Sequence, residues 1–115
     1  MDEQSSLIKL TVEYWRLLRV YERSIRELPE ERRMKLASQL RFQTGRLDSI
    51  LGECGVRAVA YDGEPYLPTL PVTVLNSEEV FGSDALAVSE TVEPTIVREG
   101  RVLSMGKVIL RREEQ

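Results

Sequence analysis

Residues 95–110, TIVREGRVLSMGKVIL, decide how the rest of the chain is interpreted. Short apolar runs lie on both sides of Gly100, and glycine readily adopts the backbone conformations of a tight turn. The pattern predicts a strand over 95–99, a hairpin at Gly100 and a second strand over 101–105. A further run at 107–111 predicts a closing strand.

The residues before this stretch continue the pattern of short strands and turns. The Asp-Gly pair at 62–63 predicts a turn, and three prolines between 65 and 71 predict an irregular passage. We expect a polar loop over 76–84 and a break at Pro94. The predicted strands in this part of the chain cover 56–61, 72–75 and 85–92. Short strands joined by short connections indicate a compact antiparallel β domain.

The N-terminal half has the three-four spacing of apolar residues that is typical of α-helices. In the first helix these residues form a seam of Leu7, Leu10, Tyr14, Leu17, Tyr21 and Leu28. Beside the seam lie Ile8, Trp15, Leu18 and Ile25. The apolar surface is therefore wider than one partner helix would cover, and we expect this helix to contact at least two neighbours.

Pro29 is predicted to separate the first helix from a second one. Proline disfavours helical geometry in the residue before it, and the acidic Glu30 and Glu31 suit a helix start. The second helix repeats the three-four spacing at Ala37, Leu40, Thr44, Leu47, Leu51 and Cys54. Gly52 and Gly55 are predicted to end it. We expect an αα-hairpin, and one kinked continuous helix is the alternative.

The sequence thus predicts an α+β chain, with a helical hairpin over 1–55 and a small antiparallel β domain over 56–115. A hairpin with so wide an apolar face cannot bury it internally. We therefore expect two copies to form a homodimer, with the hairpins paired as a four-helix bundle. The alternative is a monomer whose hairpin folds back onto its own β domain. The predicted dimer contacts are Leu7, Leu10, Tyr14, Leu17, Leu18, Tyr21, Leu40, Leu47 and Leu51.

Composition and charge argue against several functional classes. Sixteen basic and nineteen acidic residues are interspersed and give a net charge of −3, so we expect no nucleic-acid binding. Histidine is absent and Cys54 is the single cysteine, which removes serine triads, internal disulfides and multi-cysteine zinc sites. We expect no enzyme activity, no cofactor and no bound metal. The N-terminus, MDEQSS, has no basic region and no long apolar run follows, so we expect no signal peptide, no membrane span and a cytoplasmic location.

Several motifs resemble those of the GrpE nucleotide exchange factors. That family joins its helical bundle to a β domain through a glycine-valine step, which Gly55 and Val56 match. A glycine and an F-D-P motif follow in the family, and Gly63 and the YLP segment at 66–68 occupy those places. The family's V-x-x-G-Y hairpin and the R-V-L segment after it are similar to residues 97–103. The LLRVYERSIREL segment at 17–28 resembles the opening of the family's bundle.

The resemblance implies a noncatalytic co-chaperone. Such a protein binds the ATPase domain of a DnaK-type chaperone, or of a dedicated homologue, and promotes ADP release by stabilising the open form of that domain. The resemblance also implies that Arg101, Val97, Leu110 and Lys107 face the chaperone. From the residues alone, Arg101 is also explained as a solvated arginine beside a turn, and Val97 and Leu110 as β-core packing.

Other features favour a specialised protein. The family's H-E-A-V stretch is PVTV at 71–74 here, and Ser104 replaces an arginine. Only about 16 residues precede Leu17, roughly 24 Å of helix at 1.5 Å per residue, so we expect the family's long stalk helix to be missing. The alternative function is a dimeric adaptor or structural module whose β domain binds another protein without exchange activity. A carboxylate-dependent hydrolase is a third hypothesis, which no recognisable pair of acids supports.

Overall fold

The computed structural model describes residues 2–80, 82 and 85–113, and the chain divides into two units, Met1–Arg57 and Ala58–Gln115. The first unit contains two long helices, and the second contains small sheets in which antiparallel pairing predominates. The predicted α+β class is therefore confirmed. The division between the units falls inside the first strand, close to the predicted boundary.

Both helices begin and end where local chemistry allows. The first helix, α1, is Glu3–Ile25, and the Oδ1 atom of its N-cap residue Asp2 accepts a hydrogen bond of 2.7 Å from the Ser5 backbone N–H. The second, α2, is Glu30–Glu53. Pro29 is the N-cap residue of α2 rather than its first helical residue. Beyond the end of α2, Gly55 takes a left-handed conformation with φ of 73°.

The two helices form a hairpin rather than one kinked helix. The Leu28 backbone N–H still donates to the Ile25 carbonyl, so α1 closes with a turn before Pro29 redirects the chain. Across the pair, the Tyr14 hydroxyl donates a hydrogen bond of 2.9 Å to Oε1 of Gln43. Tyr14 and Gln43 lie at similar distances along the chain from the connection, as expected of antiparallel neighbours.

The second half of the chain contains six strands and one short helix. The strands are β1 (Val56–Val59), β2 (Val72–Val74), β3 (Leu86–Glu93), β4 (Thr95–Arg98), β5 (Arg101–Ser104) and β6 (Gly106–Arg112). The short helix, α3 (Ser77–Val80), lies within the predicted polar loop at 76–84. Residues 81, 83 and 84 of that predicted loop lie outside the described residues.

The strands form two three-stranded sheets, with the orders β1-β4-β5 and β2-β6-β3. The predicted antiparallel domain contains one parallel pairing, that of β2 with β6, in which Val72 lies opposite Gly106 and Val74 lies opposite Val108. The physical reason lies in the path of the chain. β6 follows the β4–β5 hairpin in sequence but lies between β2 and β3 in the sheet, so its parallel partner β2 is distant along the chain. Such a distant pairing leaves no local sequence signal.

The core of the second unit is aliphatic and surrounds the central strand β6. It includes a cluster of the buried residues Val72, Val80, Val88, Val108 and Leu110. Tyrosine and leucine side chains at its edge are partly buried against it, namely Tyr61, Tyr66, Leu70, Val74 and Leu86. This core fixes the two faces of β6 and so determines which of its side chains reach the surface.

Candidate functional site

The β4–β5 hairpin, whose strands are joined by Glu99 and Gly100, is the candidate partner-binding site. Both connecting residues have positive φ, 49° for Glu99 and 79° for Gly100, which a two-residue type I′ turn requires. In this register Arg98 lies directly opposite Arg101. We call residues 98–101 the hairpin tip. The predicted hairpin at Gly100 is confirmed, and the turn begins one residue earlier than the glycine.

Two arginines are the exposed charged groups on either side of this turn. Arg98 and Arg101 are both exposed, and residues opposite each other on adjacent antiparallel strands have Cβ atoms about 4.5–5.5 Å apart. Neither arginine side chain has a hydrogen bond or ion pair with any residue in the described part of the chain. Like charges in such a register repel each other, so the hairpin tip holds two guanidinium groups close together beside the exposed carboxylate of Glu99.

Apolar side chains lie next to the arginines along the hairpin. Val97 is opposite Val102, and because successive strand residues alternate between faces, these valines lie on the other face of the hairpin from the arginines. Val97 is half-buried, whereas 47% of Val102 is exposed. β5 is also an edge strand of its sheet. The hairpin therefore combines an exposed apolar residue with charges at its tip, a composition suited to binding a protein.

The other two predicted contact residues are engaged within the chain. Leu110 is only 4% exposed and belongs to the core of the second unit, so its side chain packs inward and presents no binding surface. The ammonium of Lys107 lies 2.7 Å from a carboxylate oxygen of Glu93, which is opposite it on β3. A partner that bound Lys107 would have to compete with this ion pair.

Sequence reasoning did not identify three residues of the hairpin surface: Arg98, Glu99 and Val102. These residues could have been identified from the two-residue connection between the strands, Glu99-Gly100. Once Glu99 and Gly100 are taken as the turn, the strand register places Arg98 opposite Arg101 and Val97 opposite Val102. A strand predicted to run through Glu99 hides that pairing.

The predicted dimer residues separate into three groups by exposure. Leu10 and Leu17 are exposed, at 68% and 66%. Leu47 and Leu51 are buried within the single chain. The remainder are half-buried, namely Leu7, Tyr14, Leu18, Tyr21 and Leu40. Leu47 and Leu51 therefore stabilise the chain itself, whereas Leu10 and Leu17 leave apolar surface uncovered.

The helical hairpin exposes further apolar residues beside two open grooves. The large exposed side chains of the two helices besides Leu10 and Leu17 are Val20, Met34, Phe42 and Ile50. One groove is lined by Leu18, Tyr21, Leu40 and Phe42 among others. The other includes Ile25, Met34, Ala37 and Leu40, with Arg33 and Arg41 also lining it. Apolar side chains of both helices are therefore exposed beside these grooves.

Other conspicuous groups have local explanations. The Arg19 guanidinium lies 4.4 Å from the ring centroid of Trp15, a cation–π contact within α1. Cys54 is exposed just after α2. Among the described residues, no group of three or more His, Cys, Asp or Glu side chains is arranged to hold a metal ion. Within the same residues, no helix is long and apolar enough to cross a membrane.

No protein-family model, no curated protein and no solved structure matches this chain.

Proposed function

We propose that this chain is a GrpE-like co-chaperone that binds the ATPase domain of a DnaK-type chaperone and promotes ADP release. The observation that carries the proposal is the hairpin tip, where Arg101 follows a tight turn, is exposed and forms no ion pair with a described residue. In the resemblance to the GrpE proteins, Arg101 is at the position of the family's first hairpin arginine. The order of two helices followed by a β unit also suits the proposal.

The mechanism requires differential binding rather than chemistry. A protein accelerates ADP release only if it stabilises the open ATPase domain more than the closed one. By thermodynamic linkage, ADP must then weaken the binding of this chain by the same factor. The contacts that favour the open domain would come from Arg98, Arg101 and the exposed Val102. These side chains would bind a surface whose shape and charge match them only in the open form. With such a partner, the chain would act in the cytoplasm.

A homodimer is part of the same proposal. Leu10 and Leu17 are separated by one heptad, so they lie near one side of α1, and both are mostly exposed. Pairing of two helical hairpins in a four-helix bundle would cover them together with the exposed apolar residues of α2. This arrangement also suits a chain whose second unit is small, because a domain of about 60 residues buries a marginal core.

The test is the rate at which a fluorescent ADP analogue leaves a DnaK-type chaperone of the same organism, measured by stopped flow after excess unlabelled nucleotide is added. We expect the wild-type chain to increase this rate in a concentration-dependent manner. Arg101→Ala should accelerate release of the ADP analogue less than the wild-type chain does. Arg111→Ala, which removes an exposed arginine from β6, should accelerate it as much as the wild type. An unchanged rate at saturating chain would contradict the proposal.

A second measurement separates exchange activity from simple binding. Biolayer interferometry with the immobilised ATPase domain, with and without ADP, reports whether the chain binds and whether ADP weakens it. Binding that is the same with and without ADP, and no acceleration of release, would favour the adaptor function. The exposed apolar surface of the helices is compatible with that function too, which is why both measurements are needed.

A further inference from the structure

Glu99 has a backbone conformation that glutamate rarely adopts. Its φ of 49° is left-handed, and within residues 2–80, 82 and 85–113 it alone among non-glycine residues has a positive φ. At this first central position of a type I′ turn, asparagine, aspartate and glycine are strongly preferred. The hairpin is therefore less stable with glutamate at this position than it would be with asparagine, aspartate or glycine.

No contact inside the described chain compensates for this conformation. Glu99 is exposed and has no hydrogen bond or ion pair with any described residue. Its carboxylate does not form an ion pair with Arg98 or Arg101, although both lie next to the turn. Residues held in unfavourable backbone conformations concentrate at functional sites, where a contact outside the chain compensates for the strain.

We propose that Glu99 is a specificity-determining contact residue that pairs with a lysine or arginine on the ATPase domain of the chaperone partner. This inference rests on the proposed function. The order of charges at the hairpin tip is positive at Arg98, negative at Glu99 and positive at Arg101. In space Arg98 and Arg101 lie opposite each other and Glu99 lies in the turn that joins them, so a partner surface that matches the hairpin tip has a basic group beside two acidic ones.

This charge order would act mainly on specificity. A partner with the matching order gains attraction at each group, whereas one with acidic groups alone meets repulsion from the Glu99 carboxylate. An uncharged or wholly basic tip would lack this discrimination. The type I′ turn projects residue 99 at the end of the hairpin, so its carboxylate meets a partner surface before the strands behind it do.

Two substitutions separate charge from backbone conformation. Glu99→Gln keeps the length of the side chain and the same unfavourable φ, but removes the charge. Glu99→Asn removes the charge and also places a preferred residue at the turn. Glu64→Gln is the matched control, because Glu64 is an exposed glutamate of the same unit. The readouts are the dissociation constant for the ATPase domain at two salt concentrations and the midpoint of thermal unfolding.

We expect both Glu99 variants to bind about fivefold more weakly at low salt, as expected for loss of an exposed ion pair, and the deficit to shrink at high salt. Glu99→Asn should raise the unfolding midpoint, Glu99→Gln should leave it unchanged, and Glu64→Gln should change neither binding nor the midpoint.

If the wild-type chain binds but both Glu99 variants bind as well as the wild type, the role of Glu99 is overturned and the proposed function stands. Weaker binding by Glu99→Asn alone also overturns it, because turn shape rather than charge would then be responsible. If the wild-type chain does not bind at all, the proposed function fails and this inference fails with it.

Discussion

The side-chain amide of Asn76 pairs with the backbone of Leu110 through two hydrogen bonds. Nδ2 of Asn76 donates to the Leu110 carbonyl at 2.8 Å, and the Leu110 N–H donates to Oδ1 of Asn76 at 2.9 Å. Just before it, the Leu75 N–H donates to the Val108 carbonyl. The amide thus continues the pairing of β2 with β6 for one further step after β2 has ended at Val74.

Replacement of Asn76 should therefore weaken the second unit. Asn76→Ala leaves a part-buried N–H and carbonyl of Leu110 without their partner, and we expect the free energy of unfolding to fall by about 1–3 kcal/mol. Asn76→Asp keeps an acceptor for the N–H but loses the donor, so it too should destabilise. Urea unfolding measures both. Ser77→Ala is the control, and a wild-type midpoint for Asn76→Ala would show that water replaces both bonds.

A single methyl group added at Gly106 should destabilise the second unit. A Cβ atom there would lie 2.7 Å from Oγ1 of Thr95 and 2.8 Å from the carbonyl oxygen of Glu93. Thr95 is itself held, because its hydroxyl donates to the Pro71 carbonyl and accepts from the Gly106 N–H. We expect Gly106→Ala to lower the free energy of unfolding by about 2–3 kcal/mol, measured by urea denaturation.

Gly45→Ala is the matched control, with an expected effect of the opposite sign. A Cβ at this position in α2 would meet no atom within 4 Å. Alanine should stabilise the helix by about 0.5–1 kcal/mol, since glycine loses more conformational freedom on folding. Destabilisation by Gly45→Ala that grows with protein concentration would instead place Gly45 in close contact with a second subunit.

Local sequence signals predicted the elements whose causes are local. Pro29 cannot continue α1, so the helical hairpin follows from that residue and the apolar spacing on either side of it. Gly100 likewise predicted the β4–β5 hairpin. The Asp-Gly turn at 62–63 is also present, with φ of 82° at Gly63.

Features that depend on distant parts of the chain were not predictable in this way. Alternation along a strand shows that Leu110 and its sequence neighbours lie on opposite faces of the sheet. It does not show which face is buried, because the core on that face also contains Val72 and Val88 from other strands. The parallel pairing of β2 with β6 and the role of Asn76 have the same kind of cause. The sequence therefore predicted that this hairpin forms, but it could not show that the side chain of Leu110 is buried in the core.

The exposed leucines of α1 give a direct test of the proposed dimer. Leu17→Glu places a charge on a side chain that is mostly exposed in the single chain, so the hairpin should remain helical. In a dimer the same charge would be buried without a partner, which is strongly unfavourable. We expect sedimentation to show a dimer for the wild type and a monomer for Leu17→Glu, with helical circular dichroism retained.

Val102→Glu is the control for this experiment, since it places the same charge on an exposed apolar residue of the second unit. It should leave the dimer mass unchanged. A wild-type chain that sediments as a monomer at micromolar concentration would contradict the dimer. A Leu17→Glu variant that remains dimeric would move the interface away from this side of α1.

Arg101 and Leu110 should affect partner binding for different reasons, and one experiment separates them. Arg101→Ala removes an exposed side chain, so the unfolding midpoint should stay unchanged while binding to the ATPase domain weakens at least about fivefold.

Leu110→Ala removes a buried side chain and should lower the free energy of unfolding by about 2–5 kcal/mol. Any loss of binding by Leu110→Ala should then follow the unfolded fraction and recover when a stabilising osmolyte refolds the protein. The Arg101→Ala deficit should persist under the same conditions, because the osmolyte cannot replace a guanidinium at the interface. Recovery of Arg101→Ala by the osmolyte would mean that Arg101 acts through stability and not through contact.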